Sequence, residues 1–232
     1  MAMTSHLHRD FKDVGKKAQR VYEVIKGGGI AIIPVYAGYG IFGASDHALD
    51  KIYEAKRRAP HKLYTLVGNH GLHRQVHVIE PITAAFVNRV TEDLDFALGV
   101  VALIRPDHRL VQNISAYAMA RSSKRGKVNM LLNSGALMER LAEQAIEDEL
   151  PIFGTSANLS GFGLKGRVQD IEAPVLAVAD VVVDEGLLPG YSSTIVDLTQ
   201  RTTVRFGHRY EDIRKIATEE FGIDLALEAS PA

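Results

Sequence analysis

The stretch PIFGTSANLSG, residues 151–161, leaves an apolar run and exposes a threonine, two serines and an asparagine between glycines. Ile152-Phe153 reads as the inner end of a buried strand. Ser, Asn and Gly are the residues from which ordinary turns are made. The same composition also suits a loop whose hydroxyls, amide and backbone N–H groups converge on an anion. Ser156 and Asn158 are two residues apart, and in extended backbone such positions point the same way. The two side chains are therefore placed to meet one ligand together.

Outward from this loop, helical and strand patterns alternate. KDVGKKAQRVYEVIK (12–26) has apolar residues at helical spacing and is stopped by Gly27-Gly28-Gly29. IAIIPV (30–35) is a β-branched strand, and YAGYGIFG (36–43) reads as a glycine-rich turn. SDHALDKIYEAKRR (45–58) is a helix with Ser45 or Asp46 as its cap. Strands are expected at 62–68, 99–106, 151–157, 178–186 and 193–199, with 202–207 closing a hairpin on the last. Helices are expected at 81–96, at 134–149 with Ser134 as cap, and at 210–222. The least regular segment is 107–133, centred on the basic loop RSSKRGK (121–127). Interleaved strands and helices with hairpin links predict an α/β fold on a mixed sheet. The domain reading is a flexible N-terminus over 1–11, one domain over 12–222 and a loose tail over 223–232.

Composition narrows the chemistry. The chain has 232 residues, 46% hydrophobic and 24% charged, enough for a sizeable core. Net charge is −1, so any nucleic-acid contact must come from a local patch. There is no cysteine, which excludes disulfides, thiolate zinc sites and cysteine nucleophiles. No long apolar run or signal core is visible, and the expected localisation is cytoplasmic. The nine histidines show no metal-binding spacing, and no metal ligand set is expected. GYGIFG (38–43) fits G-x-G-x-x-G between a strand and a helix, yet no acidic residue follows at the required distance.

Three further groups carry chemistry. KRRAPHK (56–62) holds Lys56, Arg57, Arg58 and Lys62 without an acid, at the end of a helix. Such cations complement the helix dipole, or they clamp phosphate. GYSSTIVD (190–197) leads serines into a strand, and VRFG (204–207) sets one arginine in an apolar run.

Together, and in this order, these segments resemble the YrdC-like family, whose best-known members are threonylcarbamoyl-AMP synthases. GGGIAIIPVYAGYGIFG is similar to that family's opening strand, ALDKIYEAKRRAPHK to its KxR helix and PIFGTSANLSG to its SxN loop. SSTIVD and VRFG are similar to its later elements. The resemblance implies a YrdC-like twisted mixed sheet with flanking helices around a positively lined cavity. It implies ATP with Mg2+, bicarbonate and L-threonine as reactants and threonylcarbamoyl-adenylate as product, for tRNA modification. Lys56 and Arg58 would be catalytic. Ser156, Asn158, Ser193, Thr194 and Arg205 would bind nucleotide. Pro34, Val35, Ala37 and Tyr39 would line the amino acid pocket. The family's association with double-stranded RNA points to Arg57, Lys62, Arg121, Lys124, Arg125 and Lys127 as contacts. Where the family has P-T-D-T-x-Y-G, residues 34–40 read PVYAGYG. Both threonines and the carboxylate are gone, so the nucleotide end looks kept and the amino acid end rebuilt. A paralogue acting on another carbamoyl acceptor and a non-enzymatic RNA or nucleotide binder are the alternatives.

Overall fold

The computed structural model describes residues 11–227. The proposed flexible N-terminus lies outside these residues except for Phe11, which already begins the first helix.

In chain order, α1 (Phe11–Lys26) leads to the hairpin β1 (Ala31–Val35) and β2 (Gly38–Gly43), then α2 (Asp46–Ala55) and β3 (Thr65–Leu66). α3 (His70–Val76), β4 (His77–Val78) and α4 (Pro81–Asn88) follow, α4 running into a π-helical turn over Arg89–Asp93. Next come β5 (Leu98–Ile104), α5 (Arg109–Gln112), α6 (Ala116–Ser122), β6 (Ser123–Lys124) and β7 (Lys127–Leu132). The chain closes with α7 (Ala136–Glu147), β8 (Phe153–Ser156), a 3-10 turn at Val168–Asp170, α8 (Ala173–Leu176), β9 (Val181–Val182), β10 (Thr194–Asp197), β11 (Thr202–Arg205), α9 (Tyr210–Phe221) and β12 (Ala226–Leu227).

One mixed sheet runs β12-β11-β10-β5-β7-β3-β8-β2-β1-β9, with β4 paired to β5 and β6 to β7. The expected hairpin of 193–199 with 202–207 is the antiparallel pair β10–β11. One face is fully covered: Ile32, Ile41, Leu66, Val100, Met130, Phe153 and Val196 pack under α2, α3, α4, α8 and α9. On the other face α1 and α7 cover only the end formed by β1, β2 and β8, through Ile25, Ile33, Phe42, Leu141 and Ile152. The alternation of β7, with Lys127, Asn129 and Leu131 half-exposed and Val128, Met130 and Leu132 buried, marks the rest of this face as open.

The open face is concave. Tyr36 follows β1, and His208 follows β11, near the opposite end of the strand order. In a flat sheet β1 and β10 would lie about 29 Å apart, six strand spacings. Yet Tyr36 Oη lies 3.2 Å from His208 Nδ1. The sheet curls, and residues 183–193 cross its mouth from β9 to β10, with Gly190 N donating to Ala37 O at 2.6 Å.

Several local expectations change. Residues 38–43 form a strand, not a turn. Their glycines serve close approach: a Cβ on Gly38 would sit 2.5 Å from Leu164 Cγ, and one on Gly40 2.5 Å from the Phe42 ring. GYGIFG therefore opens no helix and is no dinucleotide turn. Segment 107–133 contains two short helices and the central strand β7, and RSSKRGK is the tight β6–β7 hairpin with Arg125 at φ 55. Gly135, not Ser134, caps α7. Ser45 does cap α2, accepting from Ala48 N at 3.2 Å. The tail is not loose over 223–227: Ile223 and Leu225 are buried, and β12 pairs with β11.

Candidate functional site

α2 delivers Lys56 as its C-cap. Arg57 then takes a positive φ of 46, which turns the chain and sends Arg57 and Arg58 different ways. Lys56 is 1% exposed, and its Nζ donates to Ser156 O at 2.5 Å and to Asn158 O. Arg58 Nη1 donates to Thr155 Oγ1 at 2.7 Å, Nη2 to Leu63 O at 2.5 Å and Nε to Lys62 O at 3.1 Å. Its guanidinium also lies over the Tyr64 ring, 5.1 Å from the centroid. Two segments 100 residues apart, the basic helix end and the Ser/Asn loop, are thus one unit.

Electrostatics at this unit are strained. Burial, then the nearby charges of Arg58 and Lys62, push the Lys56 amine down to about 7. An arriving anion would relieve that strain. Asn158 is 5% exposed: its Nδ2 donates to Leu159 O at 2.5 Å, while its Oδ1 has no partner. Ser160 Oγ is also buried without one. A carboxylate from outside the motif also braces the loop: Glu172 accepts from Leu159 N at 2.9 Å and pairs with Lys165 at 2.6 Å. Glu172 and Lys165 meet the loop only in the folded chain, so no sequence spacing announces them.

A second group forms where β10, β11 and the β1–β2 turn meet. Arg205 donates to Ser193 O and Ser193 Oγ, both at 3.0 Å. Thr194 Oγ1 donates to His208 O at 3.1 Å and accepts from Gly207 N at 3.2 Å. A Cβ on Gly207 would lie 2.2 Å from the Ser193 carbonyl carbon, so no larger residue fits this crossing. Beside it Tyr191 stacks on His208, centroids 4.0 Å apart, and Tyr36 meets Tyr191 edge-on at 5.8 Å.

The remaining expected residues divide. Pro34 and Val35 are half-buried at the end of β1. Ala37 is 2% exposed and Tyr39 fully buried. Tyr39 Oη donates to Asp184 Oδ1 at 3.1 Å and to Gly186 O at 2.8 Å, and accepts from Glu185 N at 3.0 Å. Burial raises its phenol to about 12. Tyr39 is therefore a core residue that anchors the crossing segment, not a pocket wall. Among the expected RNA contacts, Arg57, Lys62, Lys124 and Arg125 are exposed. Arg121 instead lies over the Tyr117 ring at 3.7 Å. Lys127 is 12% exposed in an ion pair with Asp197 across β5, which takes its ammonium off the exposed basic surface. Among the described residues no three His, Asp or Glu side chains converge as metal ligands.

Comparison with known proteins follows the same map. The Sua5/YciO/YrdC family model, described as telomere recombination, matches residues 23–207. No curated protein sequence matches the chain. Among solved structures, the hypothetical protein smu.1377c from Streptococcus mutans UA159 superposes with a TM-score of 0.77 at 19% identity, covering 99% of this chain and 100% of that one. P. abyssi Sua5 complexed with L-threonine gives 0.72 at 19% identity, over 94% of this chain and 63% of that one. E. coli YciO gives 0.66 at 18% identity, over 84% and 90%. The chain thus spans just under two thirds of the Sua5 protein, and at these identities the likeness is one of fold. The family match extends over both groups of site residues, from the β1–β2 hairpin to Gly207, and the chain belongs to the Sua5/YciO/YrdC family.

Proposed function

We propose that the protein binds ATP on the concave face and forms a carbamoyl-type adenylate, as a threonylcarbamoyl-AMP synthase does for tRNA modification. The observation that carries this reading is the Lys56 ammonium, buried against the carbonyls of Ser156 and Asn158 with Arg58 fixed on Thr155 alongside. Such a unit is costly to build without an anion to offset its desolvation. Lys56 keeps one hydrogen, and Arg58 keeps two, beyond their internal bonds. These donors would meet phosphate oxygens and stabilise charge as pyrophosphate leaves. Asn158 Oδ1 and Ser160 Oγ would accept from or donate to the bound nucleotide. Ser193 and Arg205, locked together, would hold its other end. The described residues provide no carboxylate cage, so magnesium would be held by the phosphates themselves and would supply charge neutralisation there.

P. abyssi Sua5 was crystallised with L-threonine, and an amino acid acceptor is the first expectation. A second reading, a paralogue with another carbamoyl acceptor, is favoured by Val35 and Ala37, whose side chains cannot bond a hydroxyl. Exposed Arg57, Lys62, Lys124 and Arg125 leave RNA phosphate contact open to direct test.

Calorimetric titration of MgATP, followed by L-threonine with bicarbonate, tests the proposal. ATP binding that Lys56→Met weakens by about tenfold to a hundredfold, with pyrophosphate released in the presence of threonine, is the expected result. ATP binding without threonine-dependent release moves the function to the paralogue reading. Absence of ATP binding ends the enzyme proposal.

A further inference from the structure

The tip of the β1–β2 hairpin carries a ring cluster that the nucleotide reading does not use. Tyr36, Tyr191 and His208 arrive from three separate segments: after β1, before β10 and after β11. Tyr191 and His208 are stacked at 4.0 Å, Tyr36 stands edge-on to Tyr191 at 5.8 Å, and Tyr36 Oη bonds His208 Nδ1 at 3.2 Å. Tyr36, Tyr191 and His208 are each half-buried.

The cluster is linked to both polar groups of the site. Tyr36 is three residues from Tyr39, whose carbonyl accepts from Ala157 N at 2.8 Å, inside the Ser156–Asn158 loop. His208 bridges to Ser193, the residue that holds Arg205. The turn itself has little to bond a small hydroxylated ligand. Val35, Ala37 and Gly38 have no polar side chain, and the Tyr36 hydroxyl is engaged by His208. What the turn does present is aromatic surface, linked to the Arg205 guanidinium through Ser193. Flat rings prefer such surfaces edge-on or offset-stacked.

We infer that Tyr36, Tyr191 and His208 form the acceptor subsite and select an amino acid with a planar ring, its carboxylate directed toward Arg205. This rests on the adenylate-forming reading for its place in a reaction, and on the ring geometry for the binding itself.

The chain contains no tryptophan, so its emission is that of tyrosine alone. Titration with L-tryptophan, with and without MgATP, reads binding as quenched tyrosine emission and sensitised indole emission. L-phenylalanine and L-threonine serve as competitors. The expected result is that L-tryptophan and L-phenylalanine bind about tenfold more tightly than L-threonine. Tyr36→Ala should lose that preference, and His208→Phe, which keeps a ring without the hydrogen bond, should retain it. Thermal melts of both variants separate lost binding from lost folding. L-Threonine binding as tightly as the ring compounds overturns the inference. So does ring binding unchanged in folded Tyr36→Ala, which would leave the cluster a latch for the hairpin. If MgATP binds and the ring compounds do not, the inference fails while the nucleotide reading stands. If ring compounds bind through Tyr36 and MgATP does not, the subsite stands and the adenylate reading fails.

Discussion

Lys56 shows how one side chain can join burial to function. Its amine, lowered to about 7 by burial and by Arg58 and Lys62, is protonated below that pH and neutral above it. A phosphate ligand favours the protonated form, so MgATP affinity should fall as pH rises through and beyond about 7. Calorimetry in buffers of differing ionisation enthalpy should also show proton uptake near neutral pH. Lys56→Met should remove the pH dependence and weaken binding by about tenfold to a hundredfold, the worth of a charge-assisted hydrogen bond. Gly207 makes the complementary case. Its missing side chain is what lets β11 cross the Ser193 backbone, and backbone atoms cannot rotate away. Gly207→Ala should cost about 1–3 kcal/mol in urea unfolding, as overpacking does. At this scale the sequence was informative. Lys56, Arg58, Ser156, Asn158, Ser193 and Arg205 stand out by residue type and spacing. Tyr36, Tyr191 and His208 do not, because an aromatic residue beside a glycine turn reads the same whether or not it meets two others.

Among the elements, α3 and β4 were the least legible. His73 and His77 sit buried where the one passes into the other, Nδ1 to Nδ1 at 2.8 Å, with neither Nε2 partnered. One ring must donate and the other accept, so a proton added to the accepting Nδ1 disrupts the pair. Burial, followed by the neighbouring His70 and Arg74 for His73 and by His73 for His77, lowers them to about 4 and about 3. The unfolded chain titrates near 6.5 and so takes up protons first. The stability these groups confer is complete above pH 6.5 and is lost as pH falls toward 4 and 3. The penalty at pH 4 should be on the order of 3 kcal/mol for each ring. The double variant His73→Leu/His77→Phe should flatten that acid limb when unfolding is followed at pH 7 and pH 4. β7 escaped reading for a different reason. Its outward Lys127 and Asn129 break the apolar run that a central strand usually shows, because its outer face lines a concavity instead of a second core layer.

For the molecule as a whole, the C-terminal strand and the curl of the sheet set the shape. Ile223 and Leu225 bury 99% and 96% of their surface after α9, and β12 protects the edge of β11. Ending the chain at Gly222 should cost about 3 kcal/mol or more, or about 6–12 °C in melting temperature. Scanning calorimetry of the shortened chain would measure it. No described helix is long and apolar enough to cross a membrane. The sequence by itself determined the α/β class, most strands and helices, and the small polar loop of Ser156 and Asn158, since periodicity, capping and turn chemistry are local. Only the tertiary structure decided that Lys56 is buried on that loop, that Lys127 is spent on Asp197 and Tyr39 on the core, and that three rings meet at the hairpin tip. Those contacts depend on how far the sheet curls, a sum of small twists over ten strands that no short stretch of sequence encodes.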